Sequence, residues 1–164
     1  MRTIRVKLNE SSIDAAIKEL KEYKSWVKRK KIELLERLAA IGATQISISF
    51  ARTPYTGEKD YEIAVEQVDK RKFAIIVDGE TAALLEFGAG VTYGDGHPYN
   101  SEFGMGPGTY PDGKGHWDDP KGWYLPKEKG GEHTYGNPPS MGMYNAAKNM
   151  REQLETIARE VFST

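Results

Sequence analysis

The sequence contains no cysteine. That removes disulfides, thiol nucleophiles and thiolate metal sites together, and it fits a reducing compartment. Charge of neither sign dominates: 23 Lys+Arg stand against 24 Asp+Glu, a formal net charge of −1. A dedicated nucleic-acid binder carries a clear basic excess, so any DNA contact here has to come from a local patch. No apolar run approaches the roughly 20 residues that span a bilayer, so no membrane partner is expected. The opening Met1-Arg-Thr-Ile-Arg-Val-Lys7 alternates charged and apolar residues and lacks the continuous apolar stretch of a secretory signal. Synthesis and use in the cytoplasm are the expectation.

What is present suffices for one domain. The 164 residues fit the usual single-domain range. A chain of this size buries about two thirds of its unfolded surface. Hydrophobic content of 38% with 29% charged residues excludes wholesale disorder. Residues 3–8 alternate Ile4, Val6 and Leu8 with Arg5 and Lys7, the pattern of a short amphipathic strand. Asn9, Ser11 or Ser12 can then cap a helix, with Asp14 adding negative charge to its first turn. Its apolar stripe runs Ile13, Ile17, Leu20, Val27, Leu34, Leu38 and Ile41, with Lys24 and Lys31 filling the two gaps. Gly42 is the expected helix terminator. Ile46, Ile48 and Phe50 then alternate with Gln45, Ser47 and Ser49 as a second strand over 43–51. Thr53-Pro-Tyr-Thr-Gly57 turns the chain. Strands over 61–68 and 73–77 are joined at Lys70-Arg71. Asp78-Gly79 turns again, and 81–87 reads as a short helix presenting Leu84, Leu85 and Phe87.

Composition changes between Gly88 and Gly136, where 13 of the 17 glycines and all three histidines are found. Large aliphatics fall to Val91, Met105 and Leu125, so neither strand nor helix period survives there. Eight aromatics in the same stretch, among them Tyr110, Trp117, Trp123 and Tyr124, set it apart from an aromatic-poor linker. Loops this long tend to be functional or disordered. After Asn137-Pro-Pro-Ser140, with Asn137 or Ser140 as cap, a last helix carries the stripe Met143, Ala147, Met150, Leu154, Ile157 and Val161. The expected fold is α+β: an antiparallel sheet of about four strands covered on one face by a long N-terminal and a C-terminal helix. Residues 1–164 form the single domain and 88–136 the inserted loop.

Three constellations invite chemistry. His97, His116 and His133 share the loop with Asp95, Asp112, Asp118, Asp119 and Glu132, types that ligate divalent metals. Their spacings match no metal motif, and the bland reading is a polar loop. Glu86 stands at the loop entrance, where His97 can approach it; a metal-dependent hydrolase using Glu86 and the loop histidines is the alternative this leaves. No Gly-x-Ser-x-Gly elbow or paired-acid motif accompanies it. Gly104-Met-Gly-Pro-Gly108 has the glycines of a phosphate loop but neither its Lys-Ser/Thr nor its strand-to-helix setting. Lys28-Arg29-Lys30-Lys31 points around most of a helix circumference, which is a solvated face in the plain reading. In the sharper one it is a sequence-blind, salt-sensitive rim or channel contact with DNA.

The order of features resembles a family of phage structural proteins. Leu84-Leu-Glu-Phe-Gly-Ala-Gly90 resembles its (V/L)-E-(F/Y)-G-(T/A)-G signature, and Gly136-Asn-Pro-Pro-Ser-Met-Gly-Met-Tyr-Asn-Ala-Ala-Lys148 its proline-led terminal helix. Members are labelled neck, head–tail joining or tail components of long-tailed phages. The resemblance implies a non-enzymatic, cofactor-free virion protein assembled in the host cytoplasm. It would form a homo-oligomeric ring, six-fold by that likeness, between head-completion or connector proteins and the tail terminator or tail tube. DNA would pass through the channel. Expected subunit-interface residues are Glu86, Phe87, Gly88, Gly90, Tyr110, Trp117, Trp123 and Tyr124, since Tyr and Trp bury large area at low entropy cost.

Overall fold

The computed structural model describes residues 6–90, 93, 96–105, 119–129 and 131–163. Its first element is a single helix of 43 residues, α1 (Glu10–Arg52), about 65 Å long at 1.5 Å per residue. Asn9 is the cap: its side chain accepts the Ser12 N–H at 2.9 Å, and Glu10 supplies the first-turn charge expected of Asp14. Residues 6–8 precede the helix without strand structure, and residues 3–5 of the expected first strand lie outside the described residues.

The expected break at Gly42 and strand over 43–51 do not occur; α1 continues straight through both. Ile46 and Phe50, four apart, also satisfy a helix: with Ala39 and Gly42 they fall on one face and are buried there, while Ile48 is left 46% exposed. Tertiary packing overrides the β-branched local preference. Gly42 serves close approach instead of termination. A Cβ there would lie 2.6 Å from Ile75 Cδ1 and 2.7 Å from Met150 Sδ, so the glycine lets α1 touch sheet and C-terminal helix at one level. The real stop is Thr53, extended at ψ 127 ahead of Pro54, which disfavours helical geometry in its predecessor. Lys59 Nζ donates to the Phe50 and Ala51 carbonyls at 2.8 and 2.7 Å, closing the helix end with a cation.

The hairpin appears as expected. Strands β1 (Glu62–Asp69) and β2 (Lys72–Asp78) pair antiparallel across Lys70-Arg71, with Ile63 opposite Val77 and Val65 opposite Ile75. A register shift between Gln67 and Asp69 explains the lost alternation before Val68. The inner face packs on α1 through Ile63, Ile75 and Val77, against the core of Ile46, Phe50, Leu85 and Ala146. Helix α2 (Ala82–Phe87) follows. In the loop, β3 (Trp123–Tyr124) and β4 (His133–Thr134) form a second small antiparallel pair. Among the described residues the class is therefore α+β with two sheets of two strands each, not one sheet of four. The reason is that the segments assigned to the outer strands are helix (43–51) or unpaired (6–8).

Helix α3 (Gly142–Ser163) runs antiparallel to α1. Gln45 meets Asn149, Arg37 reaches Glu160 at 3.8 Å, and Trp26 packs edge-on against Phe162 at 5.7 Å. Its buried face is Gly142, Ala146, Ile157 and Val161, rotated from the expected stripe in the first half. Met143 and Leu154 stay 40% and 46% exposed. They line an apolar groove of about 500 Å³ with Leu35, Phe73 and Met150. Two substitutions test the continuous helix. Ser47→Pro, tolerable at an edge strand, is expected to cost about 3 kcal/mol or more in a helix interior. Gly42→Leu is expected to cost about 1–3 kcal/mol through overpacking. Denaturant unfolding measures both; a neutral Ser47→Pro would contradict the helix.

Candidate functional site

The centre of the candidate site is a carboxylate placed where a helix starts without a cap of its own. Met141 precedes α3 in a left-handed conformation (φ 50), and methionine offers no oxygen to the first amides of the helix. Glu86, at the end of α2, supplies it from 57 positions away. Met143 N–H donates to Glu86 Oε2 at 2.8 Å and Tyr144 N–H to Oε1 at 2.9 Å. These are the amides that an N-cap side chain normally takes. The charge also sits at the positive end of the α3 dipole. Glu86 is 3% exposed, so both contacts act away from water.

The backbone around this carboxylate is a clasp. Ala89 and Asn137 exchange N–H···O bonds at 2.9 and 3.1 Å, Ser140 N–H donates to Leu85 O, and Met141 N–H donates to Glu86 O. The buried Asn137 amide donates to Leu84 O at 2.8 Å. It is thus a brace across the clasp and not the α3 cap; Ser140 Oγ takes only the Gly142 N–H, at 3.1 Å. Gly90 and Gly136 have positive φ, and a Cβ on them would lie 2.4 Å from Tyr135 O and 2.0 Å from Ala89 O. Glycine is required at both places by this close approach. The two motif segments, 84–90 and 136–148, are therefore one structural unit.

His97 completes the node. Its Nε2 lies 3.2 Å from Glu86 Oε1, while its Nδ1 accepts the Tyr99 N–H at 3.2 Å. With Nδ1 accepting, the ring proton belongs on Nε2 and is donated to Glu86. Phe87 packs 4.3 Å from the imidazole, centroid to centroid, and Phe103 lies 5.5 Å from Phe87. With Tyr99 and Tyr144 these rings wall a cavity of about 360 Å³, and Lys148 and Arg151 also line it.

The structure brings the expected residues together in part. Glu86, Phe87 and His97 share the node, Gly88 lies against Asn137 and Pro139 in the clasp, and Gly90 lies beside Trp123. Tyr124 is exposed and packs at 4.9 Å on His133, in the separate β3–β4 pair. Tyr110, Trp117 and His116 lie outside the described residues. No group of three or more His, Asp or Glu side chains suited to a metal occurs among the described residues. In the basic run, Lys28, Arg29 and Lys31 are exposed, whereas Lys30 bonds Glu33 at 3.1 Å. That bond, with Arg37 at 3.0 Å, holds the Glu33 carboxyl below its usual pKa. Its stabilising contribution is present above the unfolded value and fades as pH falls through the lowered one. Tyr144, Tyr99 and Phe103 were not expected at the node, and no local signal marks the remote cap, since Asn137 and Ser140 both offer capping oxygens just before α3.

No protein-family model, curated protein or solved structure matches the chain.

Removing the carboxylate tests the node. Glu86→Ala orphans two helix-start amides, at about 1–3 kcal/mol each. Glu86→Gln keeps one acceptor and is expected to cost less. Hydrogen exchange of the Met143 and Tyr144 amides is expected to accelerate in both variants. Unchanged protection in Glu86→Ala would disprove the capping role.

Proposed function

We propose that the chain is a structural subunit of a bacteriophage head-to-tail connector. In this reading it forms a ring, six-fold by family likeness, in the virion neck between head-completion proteins and the tail terminator or tail tube. The observation that supports it is the clasp. The two segments on which the family resemblance rests, distant in sequence, meet through Glu86, Asn137 and the Ala89–Asn137 bridge. A signature whose glycines and acid each have a packing role suits a scaffold protein. The carboxylate caps a helix, which is architectural work. The loop that leaves the clasp at Gly90 and returns at Gly136 is an arm for contact with neighbouring subunits, with Tyr110, Trp117, Trp123 and Tyr124 as its anchors.

The second reading, a metal-dependent hydrolase, is favoured by one observation: Glu86 and His97 are buried together at 3.2 Å. Both Glu86 oxygens already accept backbone donors, which leaves the pair poorly placed as a general base. Metal analysis of the purified protein, with Glu86→Ala and His97→Ala variants, separates the two. Stoichiometric metal lost in the variants would favour the enzyme.

The connector reading predicts that the protein, alone or mixed with neck partners, sediments as a ring-sized species and is recovered in phage particles. A protein that neither self-assembles nor joins particles is not a connector subunit.

A further inference from the structure

Two surfaces of the chain are complementary and cannot meet within it. The first is the free part of α1. Helix α3 ends at Ser163 beside Trp26, and residues 10–25 run on about 24 Å past that point. Ile13, Ile17 and Leu20 are exposed along this arm, Ile17 at 44%. Immediately beyond them Lys21, Lys24, Lys28 and Lys31 follow at spacings of three, four and three. Four side chains so spaced share one helix face. All are exposed, and none forms an ion pair among the described residues. The acids Glu22 and Glu33 lie roughly 140–160° around the helix from this stripe, at about 100° per residue. Over residues 21–31 this face of α1 therefore carries lysine alone, while Arg29 and Lys30 share the other side with Glu22 and Glu33.

The second surface is the outer face of the hairpin. Because Ile63, Ile75 and Val77 turn inward, Glu62, Ala64, Glu66, Ala74, Ile76 and Asp78 turn outward. Glu62, Glu66 and Asp78 are exposed, and none forms an ion pair among the described residues. Glu62 and Asp78 are direct register partners, a like-charge pair that weakens a hairpin unless a cation joins it. Ile76, 40% exposed, sits beside them as an apolar centre. The spans agree: Glu62 to Glu66 is about 13 Å of strand, and Lys21 to Lys31 about 15 Å of helix.

We infer that the Lys21–Lys31 stripe and its apolar neighbours dock on the outer hairpin face of a second copy of this chain. Within one chain α1 covers the inner hairpin face, so the outer acids point away from its own lysines. Between copies the contact is head-to-tail, joining two different patches, and such contacts generate rings when the rotation closes. The inference rests on the ring reading and specifies its interface. It reassigns the lysines from DNA to protein.

Charge reversal on the full chain tests it by light scattering at low and high salt. The variants are Lys24→Glu/Lys28→Glu and Glu62→Lys/Glu66→Lys, with helix content checked by circular dichroism. Each alone is expected to raise the self-association midpoint by about tenfold or more. An equimolar mixture of the two, and the fourfold variant, are expected to recover assembly, since each then offers opposite charges across the contact. Wild-type assembly with no recovery in either case overturns the docking while leaving the ring intact. Lysine reversal that abolishes retention of duplex DNA but not assembly assigns the stripe to phosphates and also overturns it. A wild-type chain that stays monomeric yet enters phage particles ends the self-docking without ending the connector reading.

Discussion

The carboxylate of Glu86 links nearly every part of this molecule. It caps α3 at Met143 and Tyr144, receives His97 from the loop, and is carried by the helix whose Leu85 is fully buried in the core. Helix starts leave amides without partners, and a buried start needs an acceptor that water cannot supply. Here the acceptor lies far away in sequence, so α3 can be well formed at its start only when α2 is in place. The N-terminal helix, the hairpin and α3 then close around the same core. Local stability and overall topology are coupled through one side chain.

The glycines around the node have a second, steric role. At Gly90 and Gly136 two chain segments approach closely enough that a β-carbon would collide with a carbonyl. At Gly42 the contact is softer, since the atoms a β-carbon would meet are the ends of the Ile75 and Met150 side chains. Close approach shortens the distance between elements and lets small cores pack densely. Among the described residues Gly122 belongs to the same group as Gly90 and Gly136, since a β-carbon there would lie 2.3 Å from Thr134 O.

Function, in this reading, lies at the surface. The interior offers a capped helix and a braced turn, both architectural. The outward features are an apolar and lysine-lined arm, an acidic sheet face, a groove of about 500 Å³ and an aromatic cavity of about 360 Å³. A protein that works by assembly distributes its interaction chemistry in this manner, over several patches that become buried only with partners. Sorting lysines and acids onto separate faces gives such contacts direction, because like faces repel and unlike faces attract.

The amino-acid sequence by itself determined the α+β class, the hairpin joined at Lys70-Arg71, the short helix before Gly88 and the final helix, since period and turn chemistry are local properties. It also marked Glu86 and the glycines at 88 and 90, through a short motif. Only tertiary structure decided that 43–52 is helix, because Ile46 and Phe50 fit both periods and the choice is made by Gly42 and Phe50 packing on distant residues. Only it decided which face of α3 is buried, for Gly142 and Ala146 become interior by virtue of Phe50. The capping of α3 by Glu86 was equally hidden. A hydrogen bond across 57 residues has no local periodicity, and the capping oxygens nearby in sequence, Asn137 and Ser140, point to a local cap instead.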